Sequence, residues 1–303
     1  DDDTSNVVVK TALEAGINTF DTSDSYASGR AEEILGRALA SHERESLVVA
    51  TKCFWPTGPG PNERGLSRKH VMAACHASLR RLGMDYIDLY QAHRLDSSTP
   101  LEETLRAFDD LVSQGKILYV GVSEWPAAAI EAAAGICDRR GYVPIASNQP
   151  QYSMLWRTIE ESVLPTCREL GIGQIVWSPL AQGVLSGKYR RDSSVPSGSR
   201  AADPTGADYI SRWLNPAVLD AVARLTPIAS DCGLTTAQLA LAWVLDTPGI
   251  SSAVMGASQP EQVLQNALAV GRSLTPDVRL AIDEALEGAI IRTRPSLGDR
   301  EAT

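Results

Sequence analysis

Asp21 closes a short apolar run, and Tyr26 follows five residues later across the small, turn-forming stretch Thr22, Ser23, Asp24 and Ser25. This is the pattern of a strand that delivers a carboxylate at its tip, with a phenol on the loop beyond it. The β-branched run at 47–51 ends in Lys52, and the apolar run at 86–92 ends in His93. A carboxylate and an ammonium brought together form an ion pair, and an ammonium beside a phenol stabilises the phenolate and makes the phenol a better proton donor. Each residue has an ordinary role when taken alone: an Asp at a strand end caps or turns, a Lys is usually solvated, and a single His is often structural. Three ionisable groups at three successive strand tips, with a Tyr alongside, point instead to a proton-transfer site.

Those tips require a regular scaffold. Strands are expected at 17–20, 47–51, 86–92, 117–122 (ending at Ser123), 145–148 (ending at Gln149), 174–177 and 251–255. Helical periodicity occupies 6–15, 31–40, 68–82, 101–114, 127–139, 159–170, 217–231 and 236–245, with further helix in 259–303. Strands that alternate with helices call for a parallel sheet, because each parallel pairing needs a crossover of helical length. The spacing favours a (β/α)8 TIM barrel, a single domain over 1–303, with its active site at the C-terminal strand ends. No Gly-x-Gly-x-x-Gly lies between a strand and a helix, which speaks against a Rossmann domain, and the run from Gly183 to Lys188 is one residue short of a P-loop. A long polar excursion at 181–215 holds only a short helix near 208–213. The count stops at seven strands, with a helix where a first strand should stand. The expectation is that an N-terminal segment of the barrel is missing from this chain, or that another element fills its place.

Composition narrows the partners. The 303 residues carry a net charge of −9 without clustered Lys and Arg, which argues against a nucleic-acid surface and for a small-molecule ligand. Five widely spaced cysteines, Cys53, Cys75, Cys137, Cys167 and Cys232, form no metal pattern and fit reduced, buried thiols in a cytoplasmic compartment. No apolar run is long enough to span a membrane, and the start D-D-D is unlike a signal peptide. His42, His70 and His76 are expected to face solvent. The loop at 54–65 places Phe54 and Trp55 beside Lys52; with Trp125, Tyr152 and Met154 on other rim loops they suggest an aromatic-walled substrate pocket.

The motifs F-D-T-S-D-S-Y at 20–26, A-T-K at 50–52, E-R-G-L-S-R-K-H at 63–70, D-L-Y-Q-A-H at 88–93, G-V-S-E-W at 121–125, S-N-Q at 147–149, W-S-P-L-A-Q-G-V-L-S-G-K-Y at 177–189 and G-A-S at 256–258 occur in this order along the chain. In combination they are specific, and the chain resembles an aldo-keto reductase, most similar to the branch that holds the β-subunits of voltage-gated potassium channels and their bacterial relatives. The resemblance implies hydride transfer from NADPH to an aldehyde or ketone, with Tyr26 as general acid, Lys52 tuning it, Asp21 bound to Lys52, and His93 orienting the carbonyl. The channel β-subunits carry Asn where this chain has His93, which sets the chain nearer the active reductases.

The same resemblance implies that Ser123 and Gln149 hold the nicotinamide carboxamide and that Trp177, where many relatives use Tyr, stacks on the ring. Glu124 stands where many reductases have Asn, and a carboxylate cannot donate to the carboxamide oxygen. Ser178 and Leu180 are implied at the pyrophosphate, and Ser258, Gln262, Gln265 and Asn266 at the far end of the cofactor. Lys188 and Arg200 supply positive charge that favours NADP(H) over NAD. In the family the first strand adds Gly-Thr-aromatic contacts to the nicotinamide ribose, and nothing here matches them. An alternative function is a cofactor-binding regulatory or scaffolding subunit. Assembly into a homo-oligomer is left open.

Overall fold

The computed structural model describes residues 2–191, 193–204 and 206–293. Helix α1 (Asp2–Glu14) precedes β1 (Thr19–Asp21); then come α2 (Arg30–Leu39), β2 (Val48–Cys53), α3 (Arg68–Leu82), β3 (Ile87–Ala92), α4 (Leu101–Ser113), β4 (Ile117–Ser123), α5 (Ala127–Arg140) and β5 (Ile145–Gln149). Beyond them lie α6 (Val163–Glu169), β6 (Gly173–Trp177), α7 (Ala207–Ile210), α8 (Pro216–Ala223), α9 (Leu225–Asp231), α10 (Thr236–Leu245), β7 (Ile250–Val254), α11 (Pro260–Ala267) and α12 (Pro276–Ala285). Seven strands are found among the described residues, in one sheet of order β1 to β7. This is the α/β architecture of the (β/α)8 TIM-barrel class.

The chain forms two compact units. The first holds the residues up to Pro150 together with Pro165–Gln174 and Ala257–Leu264; the second holds Gln151–Leu164, Ile175–Gly256 and the residues from Gln265 onward.

In the first unit the strands pair in parallel, with Asp21 opposite Ala50, Lys52 opposite Gln91, Gln91 opposite Gly121, and Gly121 opposite Ser147. Side chains alternate along a strand, so Asp21, Lys52, Gln91, Gly121, Ser147 and Gln149 share one face. Thr51 points the other way, and its hydroxyl donates to Glu32 on α2 at 2.6 Å. Every residue of β3 is buried, as expected of a strand covered on both faces.

Local sequence explains most boundaries. Ser67 caps α3 by accepting from the His70 amide, and Gly83, at φ +66, ends it in the left-handed conformation that glycine adopts without strain. Thr235 and Gln238 form a capping box at α10. The helix expected at 217–231 is instead two, α8 and α9. Pro227 lacks an amide hydrogen and its ring crowds the carbonyl four residues back, at Ala223, the last residue of α8. The excursion at 181–215 has more order than its composition suggests. It contains 3-10 turns at Ala181–Ser186, Arg200–Ala202 and Ser211–Trp213 besides α7, and Val184, Leu185, Tyr189, Ile210 and Trp213 pin it by burial. Residues 192 and 205 of that stretch, and 294–303 of the C-terminal part, lie outside the described residues.

Gly36 on α2 lies directly against the backbone at the end of α3. A Cβ built there would lie 2.2 Å from the Leu82 carbonyl oxygen at the end of α3, a backbone atom that cannot rotate away. Gly36→Ala should therefore destabilise the fold by about 1–3 kcal/mol, against the usual gain of alanine in a helix, as measured by urea unfolding.

Candidate active site

Lys52 organises the strand tips. Its side chain is fully buried, and its ammonium has three hydrogens and three oxygen neighbours: Asp21 Oδ2 at 2.5 Å, the Thr22 carbonyl at 2.7 Å and the Tyr26 hydroxyl at 3.5 Å. The other carboxylate oxygen of Asp21 accepts from the side-chain amides of Gln149 at 2.9 Å and Gln91 at 3.1 Å. The buried ion pair is thus enclosed by hydrogen bonds, the condition under which such a pair is tolerated away from water. Gln91 was not singled out from sequence. Its signal is its position two residues before His93, which follows β3 directly.

Tyr26 opens a short turn, Tyr26–Gly29, and is 43% exposed, so its phenol meets both the buried ammonium and solvent. His93 follows β3 directly, and its amide bonds to the Cys53 carbonyl at 3.0 Å. Its ring stands edge-on to Tyr26 with centroids 5.8 Å apart, and Nδ1 lies 3.1 Å from Ser23 Oγ. Burial, with the Lys52 ammonium and the Arg94 guanidinium adding to it, pushes the His93 imidazole down to about 3. At neutral pH His93 is therefore uncharged and presents one N–H and one bare nitrogen. Behind it Asp24 is 1% exposed, and burial, reinforced by the Glu32 carboxylate, raises its carboxyl to about 7.

Trp55 is 40% exposed beside this group, edge-on to His93 at 6.2 Å and to Phe54 at 5.0 Å, with the Arg94 guanidinium over its ring at 5.6 Å. The aromatic wall is narrower than expected. Trp125 is only 2% exposed. Tyr152 and Met154 are core residues of the second unit: Tyr152 packs on Trp243 at 5.3 Å and donates to Glu160 at 2.8 Å. His70 also departs from expectation. It is buried on α3 in a stripe with Val71, Ala74, Cys75 and Ser78, and burial lowers its imidazole below the ordinary value.

Among the described residues, six non-glycine residues have positive φ: Ala27 and Ser28 after β1, Glu124 after β4, and Ser178, Ala181 and Gln182 after β6. All six lie just beyond the C-terminal ends of strands. Backbone in this sparsely populated region persists only where the surrounding structure over-determines it, and it clusters at functional sites. Residues 1–287 match the Aldo/keto reductase family.

The chain belongs to the aldo/keto reductase family.

It is 43% identical over 285 residues to a protein of Arabidopsis thaliana named "Probable voltage-gated potassium channel subunit beta", covering 92% of this chain and 86% of that protein. It is 42% identical over 287 residues to the "Putative voltage-gated potassium channel subunit beta" of Schizosaccharomyces pombe, covering 92% and 83%. A rice protein, from Oryza sativa subsp. japonica, named "Probable voltage-gated potassium channel subunit beta" is 40% identical over 293 residues, covering 95% and 87%.

The positions that the aldo/keto reductase resemblance assigns to a cofactor lie as follows. In the first unit, Ser123 is buried and donates to the Gln149 carbonyl at 2.8 Å, while the Gln149 amide is engaged by Asp21. Glu124, at φ +59, adopts a conformation that Asn, common in the family at this position, tolerates better. Ser258, after β7, is tied to Gln262 on α11 through its amide at 2.9 Å. In the second unit, Trp177 ends β6 half-buried, and the Ser178 hydroxyl accepts from the Gln182 amide at 3.1 Å. The Gln182 side chain in turn accepts from Arg200, so Ser178, Gln182 and Arg200 form one connected set, with Leu180 in the turn between them. Lys188 is exposed with its ammonium 5.2 Å from the centre of the Tyr189 ring, Gln265 is exposed, and Asn266 is half-buried. Gln182 is a second residue that sequence reading passed over. No group of His, Cys, Asp and Glu able to hold a metal is present among the described residues. No single helix there is long and apolar enough to cross a membrane.

Two outcomes follow from the electrostatics. Lys52→Met leaves the Asp21 carboxylate buried without its cation and should cost about 3–5 kcal/mol in urea unfolding, with Asp21→Asn in the same chain restoring part of the loss. The second concerns pH. Asp24, raised from 3.8 to about 7, contributes stability that is present below its unfolded value and lost as pH rises through 7. His93, lowered from 6.5 to about 3, contributes stability that is present above 6.5 and lost as pH falls toward 3. The two slopes oppose each other in mildly acidic solution. Asp24→Asn removes the first, so its stability should rise with pH there more steeply than that of the unaltered protein.

Proposed function

We propose that the chain reduces an aldehyde or ketone to an alcohol, using NADPH. The observation that carries this reading is the Tyr26–Lys52–Asp21 contact set with His93 edge-on to the phenol. The family itself supports an oxidoreductase.

The exposed cations Lys188 and Arg200 suit the 2′-phosphate of NADP. Trp177 offers an aromatic face, and Ser123 and Gln149 polar groups, to the nicotinamide end. Ser258, Gln262, Gln265 and Asn266 stand near the start of α11 or on it. Within each unit, taken by itself, these groups have the chemistry that a dinucleotide phosphate calls for. When bound, a reduced nicotinamide supplies the hydride.

The chain's own residues handle the proton. Tyr26 gives its phenolic hydrogen to the carbonyl oxygen as negative charge develops there. Lys52, 3.5 Å from the hydroxyl, stabilises the charge left on the phenol oxygen. Asp21 fixes the ammonium so that it does not move away during transfer, and Gln91 and Gln149 fix Asp21. Neutral His93 holds the carbonyl by a ring N–H. Trp55 and Phe54 give the carbonyl compound an apolar wall, which favours hydrophobic carbonyls broadly.

The names of the relatives favour a second reading, a subunit attached to a potassium channel. The presence of His93 with an intact Tyr26, Lys52 and Asp21 is the reason to prefer the reductase. Tyr26→Phe should lower kcat for NADPH oxidation across a panel of aldehydes and ketones by about 10²–10⁴-fold. NADPH affinity, read by quenching of tryptophan fluorescence, should stay unchanged. Full turnover by Tyr26→Phe, or no turnover by the unaltered chain on any carbonyl, would sink the assignment.

A further inference from the structure

Asp24 and Ser23 take no part in the proton transfer above, yet both are buried and both connect to His93. Ser23 Oγ lies 3.1 Å from His93 Nδ1, 3.3 Å from Asp24 Oδ1 and 3.0 Å from Ser25 Oγ, and it accepts weakly from the Ser25 amide at 3.4 Å. Asp24 Oδ2 is buried with no partner. We propose that Asp24 is a positioning residue that, through the single proton of Ser23, decides which nitrogen of His93 carries hydrogen and so whether His93 can hold a carbonyl. This rests on the reductase reading of the site.

A serine hydroxyl has one hydrogen to give and two lone pairs to accept with. If Asp24 is a carboxylate, it is the strongest acceptor within reach and takes the Ser23 hydrogen. Ser23 can then only accept from His93, whose hydrogen must sit on Nδ1. The imidazole is uncharged, so Nε2 is bare, and a carbonyl oxygen finds no donor there. If Asp24 is protonated, its O–H donates to Ser23 and the Ser23 hydrogen turns to Nδ1. The imidazole hydrogen is then on Nε2, where it can bond a carbonyl. Ser25 can donate to Ser23 in either arrangement, so both leave Ser23 satisfied.

The surroundings put the choice within reach of ordinary pH. Glu32 on α2 opposes ionisation of Asp24, while Arg81 on α3 favours it; the Cys53 thiol on β2 and the Tyr90 phenol on β3 face Asp24 as neutral groups. Arg81 is itself engaged by Glu32 at 2.6 Å, and Lys52 by Asp21, so neither cation is aimed at Asp24. Burial then tips the balance toward the protonated acid, whose bare Oδ2 is far less costly to leave unpartnered than that of a carboxylate. The carboxyl value of about 7 agrees with this balance.

The test reads the tautomer directly. The whole chain is labelled with ¹⁵N-histidine, and two-bond ¹H–¹⁵N correlation shows which nitrogen of each of the four histidines carries hydrogen. His93→Asn assigns the His93 signals. Across a series spanning a pH unit on either side of Asp24's value, about 7, His93 should pass from hydrogen on Nε2 to hydrogen on Nδ1. In Asp24→Asn, which is near-isosteric and does not ionise, this change should vanish. Ser23→Ala should also uncouple His93 from it. Carbonyl reduction by the unaltered chain should lose about tenfold in kcat/KM per pH unit above the same midpoint, and Asp24→Asn should lack that limb. One tautomer throughout the series, or a transition that survives in Asp24→Asn, overturns the proposal. A tautomer change in a chain that reduces no carbonyl upholds the coupling and removes the reductase reading instead.

Discussion

A lysine side chain with no exposure is the constraint on which the site depends. An ammonium withdrawn from water is expensive, and its partner carboxylate only partly offsets the cost. The chain meets this by setting three oxygen acceptors around the Lys52 ammonium and two amide donors on the Asp21 oxygen that the ammonium leaves free. That requires β1 to end where it does, so that Asp21 and the Thr22 carbonyl face β2. It requires Gln91 and Gln149 to point inward from β3 and β5. It also requires Gly121 between them, where a Cβ would meet Gln91 Cγ and Ser147 Oγ, both at 2.8 Å. Replacing a buried ion pair by apolar residues is often neutral or stabilising, so stability alone does not account for this one; on the proposed reading its use is what it does to Tyr26.

The phenol sits at the border of this buried network, bonded to the ammonium on one side and open to solvent on the other. Proton donors need that position, because the hydrogen must reach a substrate while the charge left behind stays in a low-dielectric setting. The turns that place such groups are the strained ones. Positive φ at non-glycine residues occurs after β1, β4 and β6 and at no other described position. The strain lies at strand ends that the sheet holds in register.

Much of this was legible in the sequence. Asp21, Lys52 and His93 stood out because each ends an apolar run, and a strand period of two makes the polar end of such a run conspicuous. Gln91 did not, since its signal is only its place two residues before His93, inside a run read as apolar; nor did Gln182, which lies in a turn, where a polar residue raises no local conflict. Ser23 and Asp24 read as turn formers; nothing in their spacing reveals that β3 brings His93 against them, a contact across seventy residues. A histidine in a helix suggests solvent, yet the place of His70 in a stripe with Val71, Ala74, Cys75 and Ser78 puts it on the buried face. Tyr152 and Met154 were placed on the rim by their nearness to a strand end, and only tertiary packing shows that they turn into the core.

The central claim is that Lys52 acts on the substrate through the Tyr26 proton and by no separate route. The most direct measurement is a double-mutant cycle on kcat for carbonyl reduction, combining Tyr26→Phe with Lys52→Met at a temperature where all four proteins are folded. The account predicts strong non-additivity: once the phenol is gone, removing the ammonium should cost little more. Additive losses would mean that Lys52 and Tyr26 work independently, and would contradict it.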